Sequence, residues 1–461
     1  MKPWMLNDIA RALGITSPEN NTAVLDVCTD SRAITPGCLF VALEGERFDG
    51  HDFVRDAFEK GAVAAICRKQ VPDTHKPVLY VGDTQRALIA LGGAYRSKFD
   101  LPVVAVTGSV GKTTTKDMIA CAMSAHYKTL KTEGNRNNEI GLPLTLMGLD
   151  ESYGCAVLEM GMTHQGDLSL LSVASLPTVA VITNIGVSHI ENLGSRENIL
   201  AAKLEIAEGL AQSGTLILNH DDDLLCDIKS YRGLAIIAYG IGNPQADITA
   251  KNIRRKGEET HFTIRYKDKE YPVVIPSIGN HNVQNALAAI GVAAALGLDL
   301  AKSIAALGQY TPSGMRQRIV RRAGFTVIED CYNASPDSMK AALDTLKVIK
   351  EESGGRSIAV LADMLELGSY SQAAHELVGQ LAAQNGTDIL ITYGNKASSI
   401  ANSAKAQGIR DAYFFAEKGS VLRKLAETAK PGDTILFKGS RGMRLEEIIE
   451  QFYACIDGVR D

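Results

Sequence analysis

An α/β fold of three domains, each organised around a mostly parallel sheet, is what the sequence predicts, and three observations carry the prediction. Short apolar runs of strand length alternate with helical stretches along the chain. One such run, Leu101-Pro102-Val103-Val104-Ala105-Val106, leads into Gly108-Ser109-Val110-Gly111-Lys112-Thr113-Thr114-Thr115 and then an amphipathic stretch, which is the strand, glycine loop and helix of a phosphate cradle. At 461 residues the chain is too long for one ordinary core and suggests roughly three domains of about 150 residues each.

Residues 1–82 read as a small α/β domain, with strands at 39–43, 64–67 and 78–81 and a helix at 53–60. A central domain, 83–312, begins with a helix over 84–99. It carries the glycine loop and continues through strands at 155–158, 179–182 and 215–218, for which parallel pairing with crossover helices is the natural reading. Within it, 260–266 alternates, 267–270 is a turn and 271–275 follows, predicting an antiparallel hairpin inserted before a helix over 282–296. After the Thr311-Pro312-Ser313-Gly314 break, strands at 325–329, 357–361, 388–392 and 434–437 define a third, doubly wound Rossmann-like domain, 313–461.

Composition narrows the function classes. Apolar residues make up 45% and charged residues 22%, the balance of a soluble α/β protein, and a net charge of −5 gives no electrostatic case for nucleic acid. The nearest basic run, Arg254-Arg255-Lys256, is followed by Glu258 and Glu259 and reads as a solvated turn. Eight cysteines without a C-x-x-C pair or zinc spacing predict reduced, buried thiols in a cytoplasmic protein. Met1 to Asp8 holds no apolar core, so no signal peptide is expected, and the longest apolar stretch, 286–298, is too short for membrane insertion.

The glycine loop predicts a nucleoside triphosphate ligand. Its glycines let backbone N–H groups close around phosphate oxygens, Lys112 can reach the outer phosphates and Thr113 can hold Mg²⁺. The full pattern asks for a glycine at 106, where this chain has Val106, so the loop is a shortened form.

Ligands of α/β sheets gather beyond the carboxyl ends of strands, which directs attention to Glu159, Asn184 and His189, and to Lys203 on the helix predicted over 196–210. Each alone has an ordinary alternative, as a cap, a structural histidine or a solvated lysine; their shared domain with the glycine loop makes them candidates, Glu159 above all for Mg²⁺. The Asn-rich segment 132–141 reads as a turn on residue type alone. Asn280 can cap the next helix, while Asn282 and Asn285, one turn apart, can read a ligand from one face. In the third domain Asp330 and Asp363 end strands, Ser335 or Asp337 can cap a helix, and Lys438-Gly439-Ser440-Arg441-Gly442 suits an anion. Arg316 and Arg318 are either surface arginines of a linker or groups brought to the phosphates when domains close.

Taken together, the 106–114 run, Glu133-Gly134-Asn135-Arg136-Asn137-Asn138, Leu158-Glu159-Met160-Gly161 and Asn184-Ile185-Gly186-Val187-Ser188-His189 resemble the Mur ligases of peptidoglycan synthesis. The resemblance spans the chain: Thr29-Asp30-Ser31-Arg32, the 36–43 run and Asp49-Gly50-His51 match the UDP-binding first domain of that family. Tyr332-Asn333-Ala334-Ser335-Pro336-Asp337-Ser338-Met339, the 363–368 run and Lys438-Gly439-Ser440-Arg441 match the last domain of the branch that adds a D-alanyl-D-alanine dipeptide. The Asp-Asn-Pro-Arg motif expected of sisters that add a diamino acid is not found.

The resemblance implies roles. Gly108, Ser109, Val110, Gly111, Lys112, Thr113 and Thr114 would bind the ATP phosphates; Thr113, Glu159 and His189 would serve two Mg²⁺ sites, joined by Lys203 as a carbamate. Asn282 and Asn285 would face the nucleotide, Arg316 its γ-phosphate and Asp330 its ribose. Ser31, Arg32 and His51 would lie near the UDP end of a UDP-linked muramoyl tripeptide, and Asn333, Lys438, Ser440 and Arg441 would serve substrate from the third domain, which takes the dipeptide. The implied reaction is ATP-dependent amide formation through an acyl phosphate by a monomer whose third domain closes on the central one. Sister ligases for a diamino acid or glutamate, a nucleotide-switch or motor ATPase, and a UDP-sugar binding module are the rivals; the last leaves the glycine loop and Glu159 unexplained.

Overall fold

Strands that must be buried on both faces read as unbroken apolar runs, and three parallel-rich sheets grow from them. The computed structural model describes residues 1–45, 48–72 and 74–458. The first sheet has four parallel strands in chain order: Asp26–Cys28, Cys38–Val41, Ala64–Cys67 and Val78–Tyr80. A two-stranded antiparallel ribbon, Trp4–Met5 with Ala23–Val24, lies beside it in sequence. Trp4 packs on Tyr95 of the helix Thr84–Arg96, ring centroids 5.7 Å apart. Asp83 caps that helix by accepting the N–H groups of Gln85 and Arg86. It stops three residues before the predicted end, and the Arg96 guanidinium there turns onto the carbonyls of Phe99, Leu101 and Ser175.

The central sheet has nine strands. Across it lie Thr129–Lys131, Cys155–Glu159, Val103–Thr107, Val179–Ile182, Thr215–Asn219, Ala235–Gly240 and Ile248–Lys256, all parallel, followed by antiparallel Glu259–Tyr266 and Lys269–Ile275. The predicted hairpin is therefore the outer part of a three-stranded ribbon. Arg254, Arg255 and Lys256 end its first strand instead of forming a turn: the turn follows at Gly257. Arg255 leaves the sheet to meet Glu352 at 2.7 Å and the Val348 carbonyl at 3.0 Å, on the helix Pro336–Ser353 of the next unit. On one face of the sheet, the helices Lys112–Ser124 and Asn280–Ala295 pack through Met118, Ile119 and Met123 against Val283, Leu287 and Ile290.

The third sheet runs Arg318–Arg322, Phe325–Asp330, Thr434–Lys438, Ser357–Ala362, Ile389–Tyr393 and Asp411–Phe415, with only the first strand antiparallel. Among the described residues no helix is long and apolar enough to cross a membrane. All eight cysteines are free thiols, but four of them are partly or fully accessible, so the expectation of buried thiols holds for Cys38, Cys67, Cys155 and Cys331 only.

Candidate active site

The glycine loop is shaped by the neighbouring strand end. Ser109 N–H donates to the Asn184 carbonyl at 3.1 Å, and the Asn184 amide clasps Val110 from both sides, accepting its N–H at 2.9 Å and donating to its carbonyl at 3.0 Å. Thr183 donates to the same carbonyl at 2.7 Å. A Cβ at Gly108 would lie 1.8 Å from Thr183 Oγ1, so only glycine permits this approach. Val106 stands where the longer motif has glycine because the strand continues through Thr107, which keeps Val106 buried in the core.

The helix Lys112–Ser124 then starts from Gly111, which has φ 82° and no side-chain cap. The first-turn N–H groups of a helix have no intrahelical acceptor and carry the positive end of its dipole, which suits an anion. Lys112 folds over the loop, donating to the Gly108 carbonyl at 2.8 Å and the Ser109 carbonyl at 3.4 Å. Burial lowers its pKa.

Facing the loop across a cavity of about 1610 Å³ is the third sheet's unit. Ser109, Val110, Gly111, Lys112, Thr113, Thr114, Glu159 and His189 open onto it from the central side, with Asn282 and Asn285. Arg316, Asp330, Asn333 and Lys438 open onto it from the other side. Glu159 ends its strand with Oε1 accepting from Asn137 Nδ2 at 2.7 Å, while Oε2 is buried without a hydrogen-bond partner among the described residues. A buried carboxylate oxygen left unsatisfied is costly, and a divalent cation removes that cost. Glu159 and Thr113 are oxygen donors of the kind a hard cation such as Mg²⁺ takes.

His189 sits at φ 64° ahead of the short helix Ile190–Leu193, with Nδ1 3.4 Å from Glu366 Oε2 on the far wall. Burial, assisted by the charges of Lys112 and Lys203, pushes its pKa down to about 4, so the ring is neutral at physiological pH and has a lone pair to offer. Lys203 stands in the last turn of the helix Arg196–Leu204, which ends six residues short of the predicted end. It is fully buried behind the cavity wall, and its amine has no hydrogen bond or ion pair among the described residues. Burial, with Lys112 adding to it, holds that amine well below the usual lysine range.

Three family models match the chain in succession: the Mur ligase family catalytic domain over residues 26–95, the Mur ligase middle domain over 106–293, and the Mur ligase glutamate ligase domain over 315–441. UDP-N-acetylmuramoyl-tripeptide--D-alanyl-D-alanine ligase of Bacillus subtilis is 43% identical over 433 residues, 93% of each chain. The chain belongs to the Mur ligase family. Among solved structures, MurF from Acinetobacter baumannii superposes with a TM-score of 0.90 at 32% identity, covering 98% of this chain and 99% of that one. MurF from Thermotoga maritima in complex with ADP matches with a TM-score of 0.85 at 28% identity over 94% and 98%.

Other candidates of this Mur ligase are engaged elsewhere. Asn282 donates to the Ile278 carbonyl at 2.8 Å, and Asn285 bridges Asn282 at 3.2 Å and Thr115 at 2.9 Å, so the two amides fix each other on the cavity wall. Asn280 does not cap its helix; Gly279 occupies that position. Asp330 and Lys438 form a buried pair at 2.8 Å, and Lys438 also reaches the Asn333 carbonyl at 3.2 Å. Ser440 Oγ accepts from Leu365 N–H at 2.9 Å, and Arg441 pairs with Glu446 at 3.1 Å; neither lines the cavity. Arg318 pairs with Glu329 at 3.5 Å, away from it. Ser31, Arg32 and His51 belong to the first sheet's unit and do not line the cavity. There Arg32 pairs with Asp30, the Ser31 carbonyl accepts from Lys60, and His51 bonds Asp49 at 2.6 Å and the Arg68 N–H at 2.9 Å. Sequence reasoning assigned no role to Asn137, Glu366 or Tyr332, although all three stand inside motifs it singled out; Asn and Gly in the 132–141 segment signalled only a turn.

Proposed function

We propose that this Mur ligase joins the terminal carboxylate of a UDP-linked muramoyl tripeptide to the amine of D-alanyl-D-alanine, converting ATP to ADP and phosphate. The observation that carries this reading is one cavity holding Lys112, the half-satisfied Glu159 and Arg316, contributed by two domains. A carboxylate is a poor electrophile because oxide would have to leave. Transfer of the γ-phosphoryl group to it gives an acyl phosphate and ADP; the dipeptide amine then attacks the acyl carbon, and inorganic phosphate leaves from the tetrahedral intermediate with a proton released from the amine.

Lys112 and the loop N–H groups hold the phosphates, and Arg316 approaches the γ-phosphate from the opposite wall, so charge on the transferring group is met from two sides. Asn282 and Asn285 face the nucleotide, and Asp330 its ribose. Thr113, Glu159 and His189 would hold Mg²⁺, which when bound neutralises phosphoryl oxygens and aligns them. The buried amine of Lys203, whose pKa burial lowers well below the usual lysine range, is suited to add to CO₂, giving a carbamate and a proton, and so to supply one more carboxylate-like ligand. Ser31, Arg32 and His51 serve the UDP end; Asn333, Lys438, Ser440 and Arg441 serve the dipeptide end. Closure of the third domain excludes the water that would hydrolyse the acyl phosphate. The reading is of a cytoplasmic monomer.

Phosphate release measured with ATP, Mg²⁺ and UDP-linked tripeptide, with and without D-Ala-D-Ala, tests this. Release that requires the dipeptide, with a matching amide product by mass spectrometry, is expected. Release without any acceptor would make the protein a nucleotide-switch ATPase, and release with a diamino acid in place of the dipeptide would make it a sister ligase.

A further inference from the structure

Arg316 differs from Lys112 and Lys438 in what holds it. Lys112 is hydrogen-bonded to loop carbonyls and Lys438 is paired with Asp330, whereas the Arg316 side chain makes no hydrogen bond or ion pair among the described residues. What it has is a ring: its guanidinium carbon lies 3.7 Å from the centroid of Tyr332. A cation seated that close to an aromatic face is attracted by the ring quadrupole without spending any of its N–H donors. The Tyr332 hydroxyl in turn has no hydrogen bond among the described residues, so the ring is what the protein uses.

The register of this contact is fixed by the residues before it. Cys331 and Met315 meet through sulfur at 3.3 Å, so residues 315 and 316 of the interdomain linker run beside 331 and 332 at the end of the strand Phe325–Asp330. Arg441 lies over the same ring at 5.9 Å but is tied to Glu446. Arg316 is close enough to Lys112 for its charge to disfavour that lysine's ammonium, which places it toward the glycine loop.

We propose that Tyr332 is a positioning residue, a platform that holds the Arg316 guanidinium toward the glycine loop with its donors free for the terminal phosphates of the nucleotide. This rests on the reading that Arg316 meets the γ-phosphate. A flexible arginine loses rotamer freedom when it binds an anion; one already seated on a ring loses less.

Steady-state ligation with ATP, UDP-linked tripeptide and D-Ala-D-Ala tests the platform in four variants: Arg316→Ala, Tyr332→Leu, Tyr332→Phe and Arg316→Ala with Tyr332→Leu, each checked by thermal melting. Tyr332→Leu is expected to raise KM for ATP about tenfold while KM for the tripeptide stays within about twofold, and Tyr332→Phe to recover ATP affinity. In the Arg316→Ala background, Tyr332→Leu is expected to add nothing, because the ring acts through the arginine. A further loss there would mean that Tyr332 touches substrate itself and would overturn the platform. So would a Tyr332→Leu enzyme with unchanged KM for ATP beside an impaired Arg316→Ala enzyme. An unimpaired Arg316→Ala enzyme would instead sink the γ-phosphate reading. Should Tyr332→Leu melt early, Tyr332→Met asks the same question with a better-filling side chain.

Discussion

The two walls of the cavity are built on opposite principles. On the central wall, polar groups are fixed by backbone contacts yet keep unused capacity: Lys112 touches only loop carbonyls, Glu159 has a bare buried oxygen, and the Lys203 amine has no partner at all among the described residues. On the wall from the third domain, the buried charge is cancelled within the wall, Lys438 pairing with Asp330. Arg316 rests there on an aromatic ring instead of against a carboxylate. One wall is prepared to receive charge from outside. The other neutralises its buried Lys438–Asp330 pair internally, while Arg316, Lys340 and Lys347 reach the cavity from it with no hydrogen bond or ion pair among the described residues.

Exchanging one lysine from each wall should therefore break different properties. Lys112→Ala is expected to lower kcat/KM at least about a thousandfold, roughly 4 kcal/mol of transition-state stabilisation, with a melting temperature within about 2 °C of the parent. Its ammonium bonds only carbonyls of the loop it covers, so the core does not depend on it. Ligation above a tenth of the parent rate would mean that the phosphates are held elsewhere. Lys438→Met is expected to cost stability, which Lys112→Ala does not. It strands Asp330 as a buried, unpaired carboxylate, and urea unfolding should report a loss of about 3–5 kcal/mol. An unchanged urea midpoint would show that the pair is not structural and that the two walls differ less than their hydrogen bonds suggest.

What was legible in the sequence follows the range of the physics. The glycine loop was legible because spacing encodes local backbone geometry, and strands such as Val103–Thr107 and Ser357–Ala362 because burial on both faces leaves an unbroken apolar signal. Two cation-rich strand segments escaped. Arg318–Arg322 and the end of Ile248–Lys256 carry cations on a wet face, so their composition is that of a loop while their backbone pairs in a ladder. Asn137 looked like a turn residue because its partner, Glu159, is 22 positions away and no local pattern records that bond. For Lys203 the helix was visible and the burial was not: the helix is covered by elements distant in sequence, and that covering disfavours the charged form of its amine. Spacing also could not say that Ser31, Arg32 and His51 stand apart from the cavity.

The seam between the walls offers the smallest and most direct test. His281, on the second residue of the helix Asn280–Ala295, puts Nε2 2.8 Å from Gln317 Oε1 of the linker, and Gln317 continues to Thr345 at 3.4 Å on the helix of the third domain. Desolvation lowers the His281 pKa more than the glutamine contact raises it. The unfolded chain takes up this proton near pH about 6.5, and the folded chain only at lower pH. Between those values the unfolded state binds more protons, so acidification favours unfolding and stability rises with pH. His281→Gln removes that contribution: the loss of stability on going from pH 7.5 to about 5.5 should shrink, with a slope change of at most about 1.4 kcal/mol per pH unit. Urea titrations of parent and variant across that range measure it, and identical slopes would mean that the imidazole at the seam is not withdrawn from water and that the walls meet through a wetter joint.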